Sequence, residues 1–129
     1  MAISDKARAL FATKALGMLG TVSEDGTVQV TPVWIMLDGD TPVFNTVIGN
    51  AKERTMRRDP RVTLTIVDPE DVYSYVELRG RVDFQEGPIA IDTIDALARK
   101  YIDQDRYPWA KPGDERVTLR LDVEREIGA

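Results

Sequence analysis

The feature that most narrows the fold of this chain is a two-residue alternation of apolar and polar side chains, interrupted at short intervals by turn residues. Arg61–Val67 alternates throughout, Thr27–Leu37 sets Val28 and Val30 against Gln29 and Thr31, and Arg116–Ile127 spaces Val117, Leu119, Leu121 and Val123 between charged neighbours. A period of two belongs to half-buried strands. Gly17–Ser23, Pro42–Val47 and Val72–Gln85 read as three further strands, which gives six in all. Glu24-Asp25-Gly26 and Asp38-Gly39-Asp40 are the turn signals of hairpins, since glycine supplies the positive φ that tight turns need. Pro32 places its strand at an edge or a bulge, and Gly80 marks a bend.

The period changes in three places. Residues 4–16 space Ala7, Leu10, Phe11 and Ala15 as a helix does, with Ser4 as cap and Gly17 as the expected stop. Asn50–Asp59 reads as a short helix closed by Pro60. Pro88–Asp103 is amphipathic, with Ile94, Leu97, Ala98, Tyr101 and Ile102 on one face. Strands joined by hairpins and short helices predict a mainly β (α+β) fold, a small antiparallel barrel of six strands in a single domain over residues 1–129. A Rossmann unit is excluded, because no glycine-rich turn joins a strand to a helix.

Composition removes several functions. The chain has no Cys and no His, so disulfides, thiolate nucleophiles, Ser-His-Asp triads and the commonest metal ligands are out of reach. Carboxylates, Lys, Tyr, Ser and Thr remain, which favours an organic cofactor that carries the reaction. A net charge of −5 disfavours a nucleic-acid partner. The longest apolar run, Val33–Leu37, is far too short to span a bilayer, and the first residues lack an apolar signal region. These features predict a cytoplasmic protein with no membrane partner.

The segment Asn50-Ala51-Lys52-Glu53-Arg54-Thr55-Met56-Arg57-Arg58-Asp59-Pro60-Arg61 stands apart. From Lys52 to Arg61 it holds five basic and two acidic residues, a local +3. Asn50 with Glu53 three residues later makes a capping-box pattern and puts Lys52 in the first helical turn. A cation there opposes the helix dipole, and an anion bound at that end would reverse the cost. The alternative is a solvated Lys52 among surface arginines. Gln29, Thr31, Asn45 and Thr46 are either solvent-facing alternates of a sheet or hydrogen-bonding groups for the edge of a heterocycle. Trp34 is either core or, with Tyr73-Ser74-Tyr75, a stacking surface. Tyr107-Pro108-Trp109 lies in a polar loop where aromatics are hard to bury locally, which favours a subunit contact.

Several runs carry a resemblance: Leu19-Gly20-Thr21-Val22, Glu24-Asp25-Gly26, Gln29-Val30-Thr31-Pro32-Val33-Trp34, Phe44-Asn45-Thr46, the segment Ala51–Val62 and Tyr73–Gly80. Together they resemble the pyridoxamine 5′-phosphate oxidase-like split-barrel superfamily, and within it the branch that uses the deazaflavin coenzyme F420. The resemblance implies a homodimer with cofactor sites in the groove between subunits. Lys52 would contact the cofactor phosphate, with Asn50 and Ala51 beside it. Gln29, Thr31, Pro32, Val33, Asn45 and Thr46 would line the ring. Tyr75 and Trp109 would close the site from the partner chain, and Arg54, Arg57 or Arg58 would hold the acidic oligoglutamate tail. The implied activity is an oxidoreductase passing a hydride between F420 and a small planar or conjugated acceptor. FMN in the same fold, a non-catalytic flavin, F420 or haem carrier, and a single-stranded nucleic-acid barrel are the alternatives. Vitamin B6 oxidation fits poorly, since the histidine used there is missing.

Overall fold

The computed structural model describes residues 1–128. Three helices and seven strands follow one another as α1 (Asp5–Phe11), β1 (Gly17–Val22), β2 (Val28–Val33), β3 (Met36–Asp38), β4 (Thr41–Val47), α2 (Ala51–Arg58), β5 (Arg61–Val67), β6 (Tyr75–Glu86), α3 (Pro88–Ile102) and β7 (Arg116–Gly128). All seven strands join one antiparallel sheet in the order β2-β1-β5-β6-β7-β4-β3. The mainly β reading and the antiparallel pairing are borne out. The count of six strands is not, and the sheet does not close.

Both differences have one origin. Thr27–Leu37, read as one strand, breaks at Trp34-Ile35 into β2 and β3, which form opposite edges of the sheet. The alternation runs on through the break, with Val33 and Ile35 both buried. The backbone of Ile35, however, bonds to a helix instead of a strand. Its N–H donates to the Tyr101 hydroxyl at 3.2 Å, and its carbonyl accepts from the Lys100 ammonium at 2.6 Å. The linker from Val33 to Met36 spans at most about 11 Å. The sheet therefore curls until its two edges stand close together without pairing. Pro32 lies in the edge strand β2, where its missing N–H leaves no ladder bond unmade.

The inner face of the curl holds the core. Leu19, Ile35, Phe44, Met56, Leu64, Ile66, Leu78, Leu119 and Leu121 are almost wholly buried. Helix α1 is shorter than the 4–16 reading. Ser4 caps it, accepting from the Ala7 N–H, but the Thr13 hydroxyl takes the Leu10 carbonyl and ends the helix early. Gly17 starts β1 and does not stop the helix. A Cβ there would lie 2.7 Å from both Ile35 and Leu64, so the position needs glycine for packing. β6 begins at Tyr75 because Asp68–Ser74 turns back on itself, with the Asp68 and Ser74 backbones bonded to the Ser74 and Asp71 carbonyls. Gly80 does mark a bend: the β6–β7 register shifts between Arg79 and Gly80.

Candidate functional site

The start of α2 is built as the sequence suggests. Asn50 Oδ1 accepts from the Glu53 N–H at 2.9 Å, and Asn50 Nδ2 donates to Thr46 Oγ1 at 2.7 Å. Glu53 reaches back one residue beyond the cap, accepting the Gly49 N–H at 2.8 Å, and pairs with Arg57 at 2.9 Å. The Gly49 N–H, helped by Arg57, holds the buried Glu53 carboxyl below the usual glutamate range. The cap uses the Glu53 N–H, and the backbone N–H of Ala51 and Lys52 have no intrahelical acceptor.

The basic segment is less free than its charge suggests. Arg54 bonds the Gly49 carbonyl, Arg57 joins Glu53 and Glu86 and lies over Phe84, Arg58 reaches the Val22 carbonyl, and Arg61 pairs with Asp59. Lys52 is the exception. Among the described residues it is the one cation between 52 and 61 with no hydrogen-bond or carboxylate partner. Burial pushes its ammonium below the ordinary lysine value of 10.5. A half-buried charge without a partner is costly, and a bound anion offsets that cost.

Lys52 borders a cavity of about 230 Å³ lined also by Pro32, Val33, Trp34, Asn45, Ile94, Leu97, Tyr107, Trp109 and Arg116. Five of the expected site residues meet here: Pro32, Val33, Asn45, Lys52 and Trp109. Ala51 adjoins it by sequence. Gln29 and Thr31 share the β2 face of Val33 but sit along the open edge, outside the lining. Thr46 and Asn50 stand behind the wall, their side chains engaged with each other. Tyr75 lies at the start of β6, opposite Val67, and does not reach this cavity within one chain.

Two features of the cavity were not expected from the sequence. The first is an aromatic cluster. Trp34 stacks on Tyr101 with ring centres 5.4 Å apart and planes 6° from parallel. Tyr107 and Trp109 close on Trp34 at 6.0 and 6.2 Å and meet each other edge-on at 5.7 Å. The loop aromatics therefore find partners in their own chain, although Trp109 stays 59% exposed. Asp95 holds the loop down by accepting the Tyr107 N–H at 2.8 Å.

The second is Arg116. Its Nη1 donates to Asn45 Oδ1 at 2.9 Å, and its guanidinium lies 4.5 Å from the centre of the Tyr107 ring. Asn45 is committed in turn, its Nδ2 donating to the Ala90 carbonyl at 2.8 Å and to Thr118 Oγ1 at 3.3 Å. Arg116 Nε is buried with no acceptor among the described residues. An orphaned donor of this kind costs about 1–3 kcal/mol. The cavity thus carries two cations, no carboxylate, and aromatic walls.

A curated relative named F420H2-dependent biliverdin reductase, from Mycobacterium tuberculosis (strain CDC 1551 / Oshkosh), is 24% identical over 127 residues, covering 98% of this chain and 88% of its own. A solved structure named F420 reductase superposes with a TM-score of 0.82 at 28% identity, covering 97% of this chain and 98% of that one. A heme binding protein from Mycobacterium smegmatis shares the fold with a TM-score of 0.67 at 22% identity, covering all of this chain, which spans 55% of that protein. The fold alone therefore leaves the ligand open. The family model described as pyridoxamine 5′-phosphate oxidase matches residues 3–127, and by that match the chain belongs to the pyridoxamine 5′-phosphate oxidase family.

Proposed function

We propose that this protein is an F420H2-dependent oxidoreductase that transfers a hydride between the deazaflavin and a small planar or conjugated organic acceptor. The observation that carries the reading is the unpaired Lys52 at the start of α2, beside an aromatic-walled cavity free of carboxylates. The names of the F420-using relatives support the choice of cofactor.

In this reading Lys52 and the free N–H groups of Ala51 and Lys52 hold the cofactor phosphate. Asn50 and Thr46 set that helix start in place. Pro32, Val33 and Asn45 line the ring's edge, with Gln29 and Thr31 along the open side of β2. Arg54 and Arg57 exchange their internal partners for the carboxylates of the tail. When bound, the reduced deazaflavin supplies the hydride. The chain orients the two planar molecules and keeps water from between them.

The same reading makes the protein a homodimer. The outward face of β1 and β2 shows Met18, Val28, Val30 and Pro32 to solvent, with Val28 62% and Val30 57% exposed. It continues into a depression of about 300 Å³ beside Gly20, Val22 and Thr63. A contiguous apolar face of this kind is what a second copy covers. Tyr75 of that copy would then approach the groove.

Parallel titrations with F420 and FMN, read by absorbance, test the assignment. Saturable F420 binding, followed by oxidation of bound F420H2 by conjugated acceptors in stopped flow, is the expected result. Binding of FMN alone overturns the cofactor, and tight F420 binding without turnover on any acceptor overturns the enzyme.

A further inference from the structure

We propose that Arg116 anchors a carboxylate of the acceptor, so that the cavity selects planar conjugated acids over neutral molecules of the same shape. The inference rests on the acceptor-reducing function above and adds the chemical class of the acceptor.

The guanidinium is held on two sides. Asn45 fixes Nη1, the ring of Tyr107 covers one face, and the Asn45 amide is itself locked by Ala90 and Thr118. Among the described residues Nε has no acceptor, and Nη2 makes no hydrogen bond or ion pair. Nε and Nη2 form the edge that a carboxylate meets with two parallel hydrogen bonds. Beside this edge, Trp34, Tyr107 and Trp109 offer faces and edges for a flat apolar body. Lys52, the other cation of the lining, is reserved for the cofactor phosphate.

A second cavity shares Ile94, Tyr107 and Arg116 with the first and carries Asp92, Asp95 and Asp114. Asp95 and Asp114 are taken by the Tyr107 and Lys111 N–H groups, and no carboxylate of the three lies within 4.0 Å of the guanidinium. Arg116 is therefore fixed in place, with Nη2 unpartnered and the buried Nε lacking the acceptor that a carboxylate oxygen entering the cavity would supply. An oligoglutamate carboxylate of the cofactor has the same chemistry as an acceptor carboxylate, and the test below separates the two.

Calorimetric titration of the full chain with 2-naphthoate and with its neutral counterpart 2-naphthamide reads the preference. Each is run on free protein and on protein saturated with F420. Native protein is expected to bind the acid at least about tenfold tighter than the amide, with or without F420. Arg116→Gln should bring the two within about twofold while amide binding holds, which shows the cavity intact. Equal affinities in native protein, or a preference that survives Arg116→Gln, overturn the proposal. Loss of acid binding when F420 is added assigns Arg116 to the cofactor and overturns it too. If Arg116→Gln does not fold, Arg116→Lys decides, because it keeps the charge without the planar fork. A native-sized preference in that variant is again contrary. The free-protein arm reads the subsite even if F420 does not bind, so failure of the cofactor reading and failure of this one are separable.

Discussion

Lys52 has the most to gain from an anion, because burial has already removed part of its hydration and nothing in the chain replaces it. Lys52→Ala is expected to weaken F420 binding by about 1.5–3 kcal/mol, the worth of a charge-assisted hydrogen bond. Unchanged affinity in an equilibrium titration would remove Lys52 from the site. The pH dependence has a definite sign. The ammonium is the form that binds phosphate, so affinity holds at low pH and falls as pH rises through the Lys52 pKa. In the free protein that pKa lies below 10.5, and the alkaline loss should begin earlier than for an exposed lysine. The Ala variant should lack this limb. Lys52 was legible because its setting is local: Asn50 and Glu53 lie within three residues and cap by a known spacing. Arg116 was not. Its partner Asn45 is 71 positions away, brought near by the register that pairs Asn45 with Thr118. No spacing rule reports that, and a cation opening a strand looks like any other surface charge.

The strands show the same divide between local and distant causes. β5 was readable to the residue because its alternation is bounded by Pro60 and Asp68-Pro69. The break between β2 and β3 was not, since Lys100 and Tyr101, on a helix some 65 residues on, replace the ladder bonds of Ile35. Lys100 also donates to the Phe11 carbonyl at 2.7 Å and so ties α3 to the end of α1 as well. Lys100→Met should cost about 1–3 kcal/mol in urea unfolding, because the Phe11 carbonyl loses its donor and the Ile35 carbonyl keeps only the Tyr101 hydroxyl at 3.3 Å. Burial pushes the Lys100 ammonium down to about 8. Between about 8 and 10.5 the unfolded chain holds the proton that the folded chain has released, so stability rises with pH in that window. The native protein should therefore gain on Lys100→Met as pH rises through it. The neutral amine keeps two N–H donors, one for each carbonyl, and the tie survives deprotonation. Gly80 gives a sharper case. A Cβ there would sit 1.9 Å from the Asp122 carbonyl oxygen, at the bulge of the longest strand pair, against backbone that cannot step aside. Gly80→Ala should destabilise by about 2–4 kcal/mol, read in the same assay, whereas a change within about 0.5 kcal/mol would contradict the bulge geometry.

At the scale of the whole molecule, the open edge of the curled sheet and the apolar face beside it pose one problem. β2 is an edge strand, and its outward side chains Val28 and Val30 lie in solvent next to Met18 of β1. Edge strands left open in this way invite pairing or burial, and natural proteins usually guard them with charge. This one carries valines. Pro32 and Val33 of the same strand also line the cavity with Lys52 and Arg116, so a partner seated on the face would lie beside the site. Val30→Lys separates the two roles of that surface. Because Val30 is already 57% exposed, the change should leave the stability of the single chain within about 0.5 kcal/mol. It should nevertheless place a charge at the centre of the proposed contact between copies, where desolvating it is costly. Native protein is expected to sediment as a dimer at micromolar concentration and Val30→Lys as a monomer. If the partner completes the groove, F420 affinity must fall with the loss of the dimer and recover as protein concentration is raised. A native protein that sediments as a monomer would leave the valine face unexplained and return the cofactor to a site made by one chain. A variant that is monomeric and still binds F420 at full strength would separate the dimer from the site.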